Sequence, residues 1–423
     1  MHFTLVAIGS RGDVQPLIAL GAGLRRAGHC ARLATHLEFK PLIEAQGLEF
    51  AELHGDMRAM LGNEDGHRLT SAGGNPLKFA REFSRLAHAM ATDLLSSCLS
   101  ACRGTDLIIV SGIGFYAGYP VAQKLGLPYL QTHLQPVTPT RDFTMPVMQP
   151  MKLGGLVNYA SYVVGGQLFW QGMRGPLNAV QRELWGMPPL PFFGPFFQMA
   201  RQRDPVVYGY SAHVVPVPHD WPDYAHVTGY WFLDQADHWQ PPRELIEFIE
   251  AGPPPVSIGF GSMGNRDPEH TTALVLKALE LSKQRGLLLT GWGGLAHAAL
   301  PDHVFKIEAA PHDWLFPRMG AIIHHGGAGT TAAALRSGVP SIAIPFFADQ
   351  PFWAERAHRI GASPQPIPRK HLTAERLAEA ITRAVTDAGL RRQAAAIGAQ
   401  IRAEDGVTRA VELINRLAVP GAE

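Results

Sequence analysis

"HHGGAGTT", His324–Thr331, decides how this chain is read. It leaves the apolar run Ala321-Ile322-Ile323 and opens into "TAAALRSG", which has the composition of a helix. Glycine loses more conformational freedom on folding than any other residue, so bare backbone between a strand and a helix is costly unless something must approach it closely. A helix N-terminus carries roughly half a positive charge and several unpaired N–H donors, and can hold a phosphate without a metal. Gly326, Gly327 and Gly329 would let such an anion approach, and Thr330, Thr331 and the His325 ring would add donors. Adjacent residues on a strand point to opposite faces. His324 and His325 are therefore a poor metal pair, only one of them reaches the ligand, and His324 is expected to be packed or solvated.

Outward from this stretch, short β-type runs alternate with helical periodicity twice over. The first series runs through "FTLVAI", "VQPLIALGAGLRRAG", "CARLAT", "DLIIV" and "LPYL"; the second starts near residue 255 with "PVSIGF" and continues through "LLLT", "HVFKI", "AIIHH" and "SIAIPF". Alternation of this kind implies a parallel sheet with helices on both faces. The expected fold is α/β, with two Rossmann-like domains facing an interdomain cleft. The expected boundaries are 1–235 and 256–405, joined by a proline-rich, polar linker over 236–255. At 423 residues the chain exceeds one comfortable core.

In open α/β sheets ligands sit beyond the carboxyl ends of the strands. In "IGSRGDVQP", Ile8–Pro16, Asp13 stands where the loop hands over to a helix. It can cap that helix, or accept a proton from an attacking hydroxyl, worth typically about 10²- to 10⁴-fold. "GFGSMG", Gly259–Gly264, matches GxGxxG, yet the next strand, in "GLLLTGWGG", ends in Thr290 and Gly291 rather than the acid a dinucleotide ribose needs. That argues against a dehydrogenase and leaves either a plain turn or a glycine loop with Ser262 near a phosphate or sugar. "PFFADQPFW", Pro345–Trp353, sets Asp349 beside Gln350. The pair reads as a helix start with Pro351 in the first turn, or as acceptors and donors for sugar hydroxyls. No GxxxxGK[ST] is present, which removes the P-loop nucleotidases.

Apolar residues make up 46% and charged ones 17%, and a net charge of +1 leaves no electrostatic footprint for nucleic acid. Cys30, Cys98 and Cys102 form no CxxC pair, so neither a disulfide framework nor a zinc site is expected, which suits a cytoplasmic setting. The start, "MHFTLVAIGSRGD", reads as a first strand rather than a signal peptide. Between Lys152 and Arg174 there is no charge, but Asn158, Ser161, Gln167, Gln171 and several glycines make a poor membrane span. Helices around an oily pocket are expected there.

Together these signals resemble the inverting GT-B glycosyltransferases, especially the bacterial and fungal sterol and lipid branch. The likeness rests on "RGDVQPLIALGAGLRRAGH" (11–29) and on the longer stretch from "APHDW" through "HHGGAGTT" and "PFFADQPFW" to "HRIGA" (310–362). It implies that Asp13 is the general base, where many relatives use histidine. It implies that His325, Gly327, Gly329 and Thr330, with Ser262 nearby, hold a diphosphate, and that Asp349 and Gln350 hold the sugar. Pro311 and His312 fall on the loop that bounds the nucleobase. The stacking tryptophan of relatives is replaced by Ala309 and their ribose glutamate by Ala333, which leaves UDP against TDP open; Trp292 is a candidate substitute for the stacking face. The resemblance further implies inversion, a nucleotide sugar co-substrate, UDP-glucose first, no metal or other cofactor, and a helix over 406–423 that packs back on the N-terminal domain.

Acceptor contacts in such a fold come from the N-terminal half. "DFTMPVMQPMKLGG" onward and "LWGMPPLPFFGPFFQMA" supply methionines and aromatics suited to a greasy ligand. Phe143, Met145, Met148 and Trp170 are the candidates. A sterol or triterpenoid is the first expectation and a macrolide or polyketide the second. A sugar-nucleotide epimerase on the same fold and a silent nucleotide-sugar binding module are the other classes. A lipid acceptor also admits peripheral contact with a membrane, to which the near-neutral charge adds no attraction.

Overall fold

A computed structural model describes residues 1–54, 76–148, 154–260, 268–291 and 300–418. Two compact units emerge: Met1–Ala212 with Pro216–Leu233 and Asp405–Glu423, and His213–Val215 with Asp234–Glu404.

The first unit is built in chain order from β1 (His2–Ala7), α1 (Arg11–Arg26), β2 (Cys30–Thr35), α2 (Lys40–Glu44), β3 (Glu49–Glu52), α3 (Pro76–Ala101), β4 (Leu107–Ser111), α4 (Phe115–Leu125), β5 (Tyr129–His133), α5 (Gly155–Trp185), α6 (Phe196–Gln202), β6 (Val206–Tyr208) and β7 (Ala225–Val227). Its strands form one parallel sheet in the order β3-β2-β1-β4-β5-β6-β7. Central strands of such a sheet are covered on both faces, which is why β1 and β4 read as unbroken apolar runs. Successive side chains go to opposite faces. Phe3 and Leu5 meet Leu17, Leu20 and Leu24 of α1, whereas Val6, Ile108 and Val110 meet Phe115 and Val121 of α4, Leu95 and Cys98 of α3, and Leu177 of α5.

The helix Gly406–Ala418 closes the first of these cores with Val407, Val411 and Ile414 packed against α1. The stretch without charge is the first two thirds of α5, which packs on α3. One of its sides buries Tyr162, Trp170 and Met173, while Leu156 and Val164 stay exposed. Among the described residues no helix is long and apolar enough to cross a membrane.

The second unit continues with α7 (Arg243–Glu250), β8 (Val256–Gly259), α8 (Pro268–Ser282), β9 (Gly286–Leu289), β10 (Val304–Ile307), α9 (His312–Leu315), β11 (Ala321–His324), α10 (Ala328–Ser337), β12 (Ser341–Ala343), α11 (Gln350–Arg359), α12 (Ala374–Thr386) and α13 (Ala388–Arg402). Its parallel sheet runs β10-β9-β8-β11-β12. One face packs Ile258 and Ile323 against Val275, Leu377 and Ile381; the other packs Leu287 and Ile322 against Leu315, Phe316 and Ala334. The stretch expected to be the linker belongs to this unit. Leu245 of α7 is fully buried in its core, and the amides of Gln235 and Ala236 donate to the Asp313 carboxylate at 2.8 Å.

In both sheets the strand order reverses beside the first strand of the unit, between β1 and β4 and between β8 and β11. Ligand crevices form at such switch points. The loops after β1 and β11 both lie there.

If Gly406–Ala418 completes the first core, Ile414→Ala should destabilise that unit by about 2–5 kcal/mol, the usual cost of emptying a fully buried aliphatic site. A urea titration checks this; a variant as stable as the parent would show the helix to be dispensable.

Candidate active site

After β1 the chain turns at Gly9, whose φ of +143° suits glycine. A Cβ there would lie 2.4 Å from Asp13 Oδ2, so the absence of a side chain lets the carboxylate fold back under the strand end. Asp13 is the third residue of α1 and completes a capping box: Ser10 N donates to its Oδ2 at 2.8 Å and Ser10 Oγ at 3.0 Å. Both bonds fall on one oxygen, so helix capping takes up half of the carboxylate. Asp13 keeps exposed surface, and the protein gathered around its carboxyl raises it above its ordinary value, a rise the Ser10 bonds offset in part. A carboxylate made more basic in this way is a better proton acceptor at neutral pH.

Of the expected acceptor contacts, Phe143, Met145 and Met148 are half-buried on a segment strapped along α5. Asn158 Nδ2 donates to Arg141 O at 2.8 Å, Met145 N donates to Ser161 Oγ at 2.9 Å, and Met145 Sδ sits over Gly165. Trp170 requires a correction. It is fully buried, its indole N–H donates to Pro191 O at 2.9 Å, and its ring packs against Phe196, so it belongs to the core. One residue of this region escapes a sequence reading. His133 ends β5, is buried beside Tyr208, and keeps Nε2 without a partner; burial pushes its pKa down to about 4. The only cue was a polar residue closing an otherwise buried strand.

In the second unit, His324 is the last residue of β11 and His325 the first beyond it. Gly326 turns with φ +85°, and a Cβ on it would stand 3.1 Å from Gln350 O, so this turn touches the start of α11. Gly327 is the N-cap of α10, and Thr331 N donates to Gly327 O at 2.9 Å to close the first turn. No side chain caps that helix, which leaves the amides of Ala328, Gly329 and Thr330 as its unpaired donors. The His325 ring lies over this end, since a Cβ on Gly327 would be 2.4 Å from His325 Nε2. Burial pushes the His325 pKa down to about 4, so the ring is neutral at pH 7. Thr330 is half-buried, whereas Thr331 is fully buried with no partner for its hydroxyl.

Asp349 is the N-cap of α11, yet its carboxylate does not cap the helix; Oδ2 accepts from Trp353 Nε1 at 2.8 Å. Gln350 is buried, and its Oε1 accepts from Phe346 N at 2.8 Å and Phe347 N at 3.3 Å. This amide oxygen shapes the loop and is not open to a sugar. Ala348 in the same loop adopts φ +56°, a left-handed conformation uncommon outside glycine. Pro311 is the N-cap of α9, and His312 stacks on Phe316 with centroids 4.3 Å apart. Ser262 and Trp292 lie outside the described residues.

Comparison with known proteins follows the same lines. Residues 3–144 match the glycosyltransferase family 28 N-terminal domain, and residues 293–417 match the erythromycin biosynthesis protein CIII-like C-terminal domain. A sterol 3-beta-glucosyltransferase of Arabidopsis thaliana is 35% identical over 427 residues, covering 98% of this chain and 68% of that protein. The chain belongs to the glycosyltransferase family that holds this enzyme.

Another sterol 3-beta-glucosyltransferase of Arabidopsis thaliana is 36% identical over 97% of this chain and 65% of its own length, and one from Cryptococcus neoformans is 37% identical over 98% and 27%. The chain thus spans about a quarter to two thirds of the relatives that head the comparison. Solved structures share the fold: the glycotransferase of kitacinnamycin superposes with a TM-score of 0.71 at 19% identity over 99% of both chains. A Streptomyces glycosyltransferase complexed with thymidine diphosphate superposes at 0.62 with 18% identity over 98% of this chain and 99% of its own. These members of the fold agree with the two parallel-sheet units described above.

His133, His324 and His325 are all neutral in the folded chain, with pKa values pushed by burial to about 4, 3 and 4. In the unfolded chain a histidine titrates near 6.5. Below that pH the unfolded state takes up protons that the folded state refuses, so stability should fall as pH drops from 6.5 to 5. Urea midpoints across this range check the slope, and His133→Gln should make it shallower by up to about 1.4 kcal/mol per pH unit. An unchanged slope would mean that His133 titrates normally in the fold.

Proposed function

We propose that the chain is an inverting glycosyltransferase that moves glucose from UDP-glucose to the hydroxyl of a sterol or similar lipid alcohol. The observation that carries this reading is the 35% identity with a sterol 3-beta-glucosyltransferase, sustained across 98% of the chain. The strand-end loops supply parts that fit the chemistry. Bare amides at the start of α10 and the neutral His325 ring suit the diphosphate, which gains negative charge as the bond to the sugar breaks. Asp13 takes the proton of the attacking hydroxyl. Asp349 presents its carboxylate to the sugar from a side chain steadied by Trp353, and Gln350 holds the loop around it. Pro311 and His312 bound the nucleobase. The reaction is written without a metal or cofactor, because oriented amides provide the charge stabilisation and the nucleoside diphosphate is already a good leaving group. Phe143, Met145 and Met148 form the apolar side that receives the acceptor.

We also propose peripheral contact with the lipid surface in which such an acceptor resides. Leu156 and Val164 of α5 are exposed, and Gln167 and Gln171 of the same helix donate to Phe192 O at 3.0 and 2.5 Å. These bonds hold the exposed Phe192 and Phe193 beside that apolar stripe, with Phe197 exposed a few residues on. Aromatic rings of this kind favour the boundary between headgroups and acyl chains.

Product mass spectrometry with UDP-glucose and TDP-glucose, each offered with sterols, triterpenoids and macrolides, tests donor and acceptor together. A hexosylated sterol made from UDP-glucose is expected; a product from macrolides alone, or donor isomerised without acceptor, would overturn the assignment. Asp13→Asn keeps an acceptor for Ser10 N–H but is no base, so it should lower kcat by about 10² or more and leave UDP binding intact. Phe193→Ser combined with Phe197→Ser should reduce co-sedimentation with sterol-containing phosphatidylcholine vesicles; equal sedimentation would remove the lipid contact.

A further inference from the structure

His324 is 1% exposed, so it is not available to a ligand arriving from water. Its Nδ1 accepts a hydrogen bond from Gly326 N at 3.0 Å. A ring nitrogen that accepts an N–H carries no proton, so the hydrogen of this neutral imidazole sits on Nε2. A bond from a side chain to the amide two residues on is the one an Asx turn makes. Here it spans the point where β11 ends and the Gly326 turn begins, directly ahead of the N-cap of α10.

The bond has a cost that packing does not explain. Nε2 is buried without a partner, and a buried donor left unpaired costs about 1–3 kcal/mol. A leucine of similar size would remove that loss but would leave the buried Gly326 N–H without its acceptor. Either residue thus leaves one buried donor unpaired, and what histidine adds is an acceptor aimed at Gly326 N. The turn so fixed is tight on its far side as well, with the Gly326 Cβ position only 3.1 Å from Gln350 O. A shift of Gly326 would move Gly327 and, with it, the surface on which the His325 ring rests.

We propose that His324 is a positioning residue for the nucleotide: through Nδ1 it locks the Gly326 turn, and so aims the amides of residues 328–330 and the His325 ring at the diphosphate. This rests on the donor reading given above. His325 touches the ligand, and His324 acts through the backbone that carries it.

The test compares the whole chain with His324→Leu, which removes the acceptor, and His324→Asn, whose Oδ1 restores an acceptor for the same amide. UDP binding by calorimetry should weaken about tenfold or more in the leucine variant and stay within about threefold of the parent in the asparagine variant. The donor KM should rise in the leucine variant with the acceptor KM unchanged, and the asparagine variant should keep the parent's donor KM. Equal UDP affinity in the leucine variant, or equal loss in both variants, would overturn the proposal. Should the leucine variant fail to fold, ¹⁵N spectra of the parent decide: a proton on Nε2 down to pH 5 is expected, and a proton on Nδ1 refutes the lock. A parent chain that binds neither UDP nor TDP would instead overturn the donor reading, and the imidazole spectrum would still judge the turn.

Discussion

A helix can present its first amides to an anion only if no side chain stands between them and the ligand and no side chain already caps them. This constraint governs the second unit from β11 to α11. Gly326 must turn where a Cβ would press on Gln350 O, and Gly327 must lie beneath the His325 ring where a Cβ would strike Nε2. The helix that follows starts on a glycine N-cap without a side-chain acceptor, although Ser, Asp or Asn there would stabilise it by a few tenths of a kcal/mol. Open amides are kept at the expense of the helix itself. The neighbouring loop is built to match: Gln350 ties down Phe346 N and Phe347 N, and Ala348 is held in a left-handed conformation.

The first unit solves the opposite problem with the same architecture. Its switch-point loop also runs from a central strand into a helix, but there the start of the helix is closed by the Ser10–Asp13 box. A capped N-terminus has less call for an external anion, and the carboxylate that helps cap it brings negative charge of its own. The two loops are therefore chemically complementary. One lacks an acid and offers donors; the other carries an acid whose affinity for a proton is raised by the protein gathered around it. Under the proposed reaction the same strand-turn-helix unit serves phosphate in one half and a hydroxyl proton in the other.

Much of this is legible in the amino-acid sequence. The apolar runs of β1, β4 and β11 give two parallel sheets, and glycines between a strand and a helix mark the loop after β11. Asp13 stands out as an acid at a helix start, with cap and base both open, and the structure shows the cap taking one of its two oxygens. What escapes is decided by partners far away or by rotamers. Trp170 falls in a stretch whose composition suits a pocket wall and a core equally, and only the Pro191 carbonyl shows which it is. Asp349 and Gln350 look alike as sugar ligands, but the trajectory of residues 346–348 draws the Gln350 oxygen inward. The polar ends of 236–255 suggest a linker, whereas Leu245 finds a core. His324 reads as a packed residue, which its burial supports; its bond to Gly326 N depends on a ring orientation that no pattern encodes.

Holding an anion with neutral groups has a catalytic consequence. A lysine or arginine at the diphosphate would also gain attraction as charge develops, but its full charge would hold the departing nucleotide tightly once the bond has broken. Oriented amides and a neutral imidazole carry no net charge. Their attraction grows as charge accumulates on the leaving oxygens, and being fixed in place they need no reorganisation when it does. The burial that keeps His325 uncharged is thus part of the same design as the glycines. A charged ring at 325 would tighten the nucleotide on both sides of the reaction and slow its release, so under the proposed reaction the depressed imidazole favours turnover over affinity.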